Sequence, residues 1–214
     1  TCPDDISIAI TVENCDGVGA ISLILLYDTL TLDYSGYQNT HPELSSGVLV
    51  INSSEDKLII SWASLTAANI GNGTLLDLNF SAQTGASGLE WFTQVEGNCE
   101  YSDIDGSLIN STYVNGNVIV HELPSITSQP LNSTIFEGEN TSFSITASGT
   151  GLSYQWEESI DSSANWNSLT NTPPYSGVST NTLSVTNAIL GMNGYEYRCV
   201  VIGTCPPADT SISA

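Results

Sequence analysis

The sequence predicts an all-β chain folded as two successive β-sandwiches, and three observations carry that expectation. Apolar residues recur at every second position in short runs, the period of a strand. Turn residues separate the runs, and no convincing helix interrupts the first half. The stretch HELPSITSQP, residues 121–130, has two prolines and no period, so it divides residues 1–122 from residues 123–214. At 214 residues the chain is long enough for each part to bury its own core.

Residues 6–12 read as a strand, with Ile6, Ile8, Ile10 and Val12 alternating against Ser7, Ala9 and Thr11. The organising run is GVGAISLILLYDTLTLDYSGY, residues 17–37. Ile21, Leu23, Leu25 and Tyr27 share one face and Ala20, Ser22, Ile24 and Leu26 the other. A strand apolar on both faces is expected to lie between two layers. After Asp28 the alternation changes parity, with Leu30, Leu32 and Tyr34 on one side, so two strands meet at a corner. VLVIN (48–52) and KLIISWAS (57–64) form a hairpin with a four-residue loop, SSED. TLLDLNFSA (74–82) turns Leu76, Leu78 and Phe80 inward, LEWFTQV (89–95) follows, and STYVNGNVIV (111–120) closes the first domain.

The first part resembles the cohesin family of nine-stranded jelly-roll modules. The GVGAISLILLYDTLTL run with its Tyr27-Asp28 pair, IGNGTLLDLNFSA, and GNCEYSDIDG followed by a V-x-G-x-V strand carry the resemblance, over about residues 4–120. With Cys15 and Cys99 so placed, it is similar to cohesin-like modules of large surface proteins in Bacteroidetes. From about residue 125 the chain resembles an immunoglobulin-like (Ig-like) domain: GENTSFSITASG as strand B, SYQW with Trp156 as C, NTLSVTNA as E and NGYEYRC as F. Tyr197 stands where that fold places its tyrosine corner, whereas Ile145 occupies the place of the strand-B cysteine.

Lys57 and Arg198 are the only strong bases against 23 carboxylates, a net charge of -21. Residues 1–122 hold 16 of those acids. Such a surface repels phosphate, which excludes nucleic acid and anionic membranes as partners. No apolar run is long enough to span a bilayer, so direct membrane insertion is not expected, and any export signal has been removed.

Five cysteines without a C-x-x-C pair imply disulfides in an oxidising compartment, extracellular or at the cell surface. A tight hairpin through Val201, Ile202 and Gly203 would set Cys199 against Cys205, the alternative being two free thiols. Cys15 bonded to Cys99 would close a loop of about 80 residues, worth about 4–5 kcal/mol in the chain-entropy model. Cys2 with Cys99 is the alternative pairing. Otherwise Cys2 is the odd cysteine, available for an intermolecular bond. A final strand from about Thr204 looks short, leaving part of strand F uncovered for pairing with another chain.

Asp103, Asp105 and Gly106 resemble half of a calcium loop, and Glu100, Asp103 and Asp105 are the ligands if a cation binds. The pattern lacks a bidentate acid, and an Asp-Gly hairpin turn explains it better. No cofactor motif is present, so weak Ca2+ binding is the most that the acids suggest. His41 and His121 match no nucleophile-base motif, so the chain is not expected to be an enzyme. Trp62, Trp91 and Trp156 occupy core positions. Trp166 lies in a polar stretch and is the candidate glycan contact.

The expectation is a non-catalytic extracellular structural or adhesion module, a repeat of a surface adhesin or the subunit of a filament. The alternative is a recognition module, for which the cohesin resemblance implies a dockerin-type protein or a polysaccharide as partner. Partners are thus a protein or a second copy, or a polysaccharide.

Overall fold

The computed structural model describes residues 1–214, and the chain is built of strands with two short 3-10 turns. No helix is long and apolar enough to cross a membrane. The chain divides into two compact units, Thr1 with Pro3–Val120 and Cys2 with His121–Ala214.

In the first unit the strands are β1 (Asp5–Cys15), β2 (Val18–Leu26), β3 (Leu32–Gln38), β4 (Gly47–Ser54), β5 (Lys57–Ala68), β6 (Gly71–Ala82), β7 (Gly85–Trp91), β8 (Glu100–Asp103), β9 (Leu108–Ile109) and β10 (Gly116–Val120). They make two sheets. The smaller runs β1-β6-β3 and the larger β10-β7-β2-β5-β4, with β8 also beside β2 and β9 beside β8. The core between them comes from the expected alternation: Ile21, Leu23 and Leu25 of β2 meet Leu76, Leu78 and Phe80 of β6. Tyr27 and Tyr34 place their ring edges on Phe80 at 5.4 and 5.8 Å.

Asp28 makes the corner between β2 and β3. Its carboxylate accepts from the Leu30 amide and the Thr31 hydroxyl, and its carbonyl from the Thr31 and Leu32 amides. These bonds turn Leu30 outward, so Leu30 is 83% exposed and the apolar row resumes at Leu32, which is fully buried. The β4–β5 hairpin is tighter than expected, because pairing continues to Ser54 and Lys57 and Glu55 adopts a positive φ of 54°. A Cβ at Gly47 would strike the Ala63 carbonyl oxygen and come within 2.7 Å of the Trp62 indole nitrogen, so only glycine fits. The last strand is shorter than the sequence suggests: residues 111–115 join no ladder and β10 begins at Gly116.

In the second unit the strands are β11 (Ser125–Ser128), β12 (Thr141–Ser144), β13 (Thr146–Ser148), β14 (Ser153–Ser159), β15 (Asn167–Ser168), β16 (Tyr175–Ser176), β17 (Thr182–Val185), β18 (Glu196–Ile202) and β19 (Asp209–Thr210). The sheets are β12-β17-β16, β15-β14-β18-β19 and the pair β11-β13. Trp156, Leu183, Cys199 and Val201 are fully buried at the centre, with Ile145 beside them. Trp156 satisfies its indole N–H on the Thr180 carbonyl at 2.9 Å. Tyr197 packs its ring at a tilt of 34° against Phe143, and its hydroxyl meets that of Tyr175 at 3.3 Å.

The disulfide expectations are corrected. Cys205 is bonded to Cys2, with a Cα–Cα separation of 5.5 Å, and Cys15, Cys99 and Cys199 are free thiols. The hairpin after β18 resumes only at Asp209, beyond Pro206 and Pro207, so Cys199 faces Ser211 instead of Cys205. Cys2 accordingly has an internal partner and is not left over for a bond between chains. Cys15 ends β1 opposite Gly71, whereas Cys99 rests its sulfur 3.4 Å from the Ile24 amide, so the expected Cys15–Cys99 bond is not made. Strand F is also better covered than expected, because residues 209–214 follow it and Ala214 exchanges backbone bonds with Tyr197.

Candidate recognition surfaces

The calcium-loop candidates form a turn and gather no cage. Asp103 Oδ1 accepts from the Asp105 amide at 2.9 Å and the Ser107 amide at 2.8 Å, an Asx turn around Gly106. Glu100 turns to the Gly97 amide at 2.6 Å. Nowhere do three His, Cys, Asp or Glu side chains come together as a metal site would need.

Trp166 is a half-buried ring with one face already taken. The Arg198 guanidinium stands 4.2 Å from its ring centroid and is held there by Glu157, whose Oε2 lies 2.8 Å from both Nε and Nη2. Arg198 thereby competes with any sugar for that face. In the same unit, Glu158, Tyr175 and Tyr195 line a depression of about 500 Å³. Its one carboxylate, Glu158, accepts from the Tyr175 hydroxyl at 2.6 Å, and burial raises the Tyr175 phenol well above its ordinary range. A single occupied carboxylate does not make the acid pair that glycoside hydrolysis uses. His41 uses Nδ1 as an acceptor for the Glu43 amide, a capping role.

The outer face of the larger sheet is the notable surface of the first unit. The odd positions of β2 are core, and its even positions, expected to be buried by a second layer, face outward and are only half-buried. Register aligns them in three rows: Ala20–Ala63–Val48, Ser22–Ser61–Val50 and Ile24–Ile59–Asn52. None of these nine residues is charged, although the unit carries 15 carboxylates and one lysine. Val48 is 70% and Val50 45% exposed. Glu100, paired with Ser22, and Lys57, paired with Leu26, mark the margins. The neutral face was hidden in the sequence because an apolar outward row has the same alternation as a second core row.

No family model matches the chain, and no curated protein does. Among solved structures, a non-cellulosomal cohesin from the archaeon Archaeoglobus fulgidus is similar at 22% identity, over 54% of this chain and 80% of that one, with a TM-score of 0.45. A type I cohesin–dockerin complex from Clostridium thermocellum gives 15% identity, 56% and 90% coverage and a TM-score of 0.46. Tandem Ig repeats of Dlar give 12% identity, 99% and 96% coverage and a TM-score of 0.35.

Proposed function

We propose that this chain is a non-catalytic extracellular interaction module whose first domain binds a protein through the outer face of β2, β5 and β4. The observation that carries the reading is the uncharged nine-residue face on an otherwise acidic unit. Charge is depleted at the centre of protein interfaces, because an unpaired buried charge is costly, while surrounding charge steers the approach of a partner. A flat face of valine, isoleucine, alanine and serine suits a protein surface better than a sugar, which would ask for aromatic platforms and hydrogen-bonding side chains. A role as an adhesin repeat is compatible with this reading. A filament held by Cys2 is not, since Cys2 is bonded to Cys205.

The test is titration of the intact chain against dockerin-type modules and against soluble polysaccharides, with Val50→Glu beside the parent. The reading predicts a protein ligand whose binding Val50→Glu abolishes. Binding to polysaccharide alone, or binding that ignores the substitution, would contradict it.

A further inference from the structure

The smaller sheet ends on an open edge. β1 is paired only with β6, and because the Asp4 carbonyl accepts from the Ala82 amide, the groups of Asp4, Ile6 and Ile8 turn toward β6. Alternation then directs the amide and carbonyl of Ser7 and Ala9 away from it. Irregularities at Ile10/Thr11 and Val12/Cys15 bend the second half of β1, and residues 8–16 form one wall of a groove of about 590 Å³. Its apolar lining includes Leu25, Leu89, Trp91 and Tyr101, and residues 109–116 form the opposite wall.

Three further observations show that the core is unfinished there. Ile8 and Val12 belong to the inward row yet are only half-buried, while Leu78, the β6 partner of Ile8, is fully buried. Trp91, expected in the core, is also half-buried and gives its indole N–H to the Val114 carbonyl at 3.2 Å. The Tyr113 hydroxyl is buried, and within the geometric limits of a hydrogen bond it has no partner.

We infer that the β1 edge is a second docking site, where an extended segment of another protein adds as a strand and fills the groove with its alternate side chains. The inference rests on reading the chain as an interaction module. Strand addition fits because the free groups of Ser7 and Ala9 supply the ladder and the groove supplies pockets for every second residue. Charge decides the occupant. Asp4 and Asp5 stand at one end of the edge, Glu13 and Asp16 at the other, and the groove is lined by no base. A second copy of a chain with net charge -21 would be repelled, whereas a segment apolar at alternate positions and ending in lysine or arginine is complementary.

The experiment titrates the intact chain, at physiological salt, with a peptide of alternating valine and threonine that carries paired lysines at both ends. A second peptide has glutamates in place of the lysines. The lysine peptide should bind saturably and slow hydrogen exchange at Ala9. Ala9→Pro, which removes an outward amide and spares the β6 ladder, should weaken binding about tenfold. Glu13→Lys with Asp16→Lys gives a second arm independent of the proline, and it too should weaken the lysine peptide. The proposal is overturned by absence of binding, by equal binding of both peptides, by binding that ignores both variants, or by self-association that Ala9→Pro abolishes. Val50→Glu should leave the peptide bound. Loss of the peptide site with the outer face still active would sink this inference alone.

Discussion

Trp156 and Cys199 face each other across β14 and β18, each fully buried, at the centre of the second unit. That placement makes Cys199 a packing residue. Burial pushes its thiol up to about 11, so almost no thiolate exists at neutral pH.

Peptide mapping without reduction should therefore find Cys2 joined to Cys205. Cys15, Cys99 and Cys199 should label with an alkylating reagent only as free thiols, and Cys199 only after denaturation. A Cys199–Cys205 fragment would refute the geometry of the last hairpin.

The same thiol gives the second unit a pH dependence. Its pKa is raised from 9.0 to about 11, so the folded state holds a proton that the unfolded state has lost over that interval. Stability is fully present below about pH 9 and falls as pH rises toward 11. Cys199→Ala should flatten the part of the decline that begins before the tyrosines titrate. An identical slope in the variant would remove Cys199 as its cause.

Phe80→Ala, at a fully buried ring against which Tyr27 and Tyr34 pack, should cost the first unit about 3–5 kcal/mol. Trp156→Ala should cost the second unit a similar amount. Calorimetry is expected to show each substitution lowering one transition and sparing the other. Both transitions falling together would contradict two separate cores.

Added sodium chloride should raise the melting temperature of this acidic chain by screening, and calcium at equal ionic strength should raise it no further. An effect of micromolar calcium would show that Glu100, Asp103 and Asp105 rearrange into a site.

Period-two alternation was sufficient to place most strands, because inward rows such as Leu76, Leu78 and Phe80 must be apolar at every second position. Alternation does not tell a core row from an outward apolar row, so Ile24 reads as interior from the sequence and lies half-buried on the outer face in the structure. Nor does alternation show that residues 111–115 remain unpaired, since STYVN has the composition of a strand and pairing depends on what lies opposite. The disulfide escaped for a related reason: Cys2 and Cys205 are 203 positions apart, and no local pattern registers a contact at that range.

The most direct measurement of the central claim is calorimetric titration of the parent chain and Val50→Glu with a dockerin-type module. The account predicts heat of binding for the parent and none for the variant at unchanged melting temperature. Equal binding by both would contradict recognition through the neutral face of β2, β5 and β4.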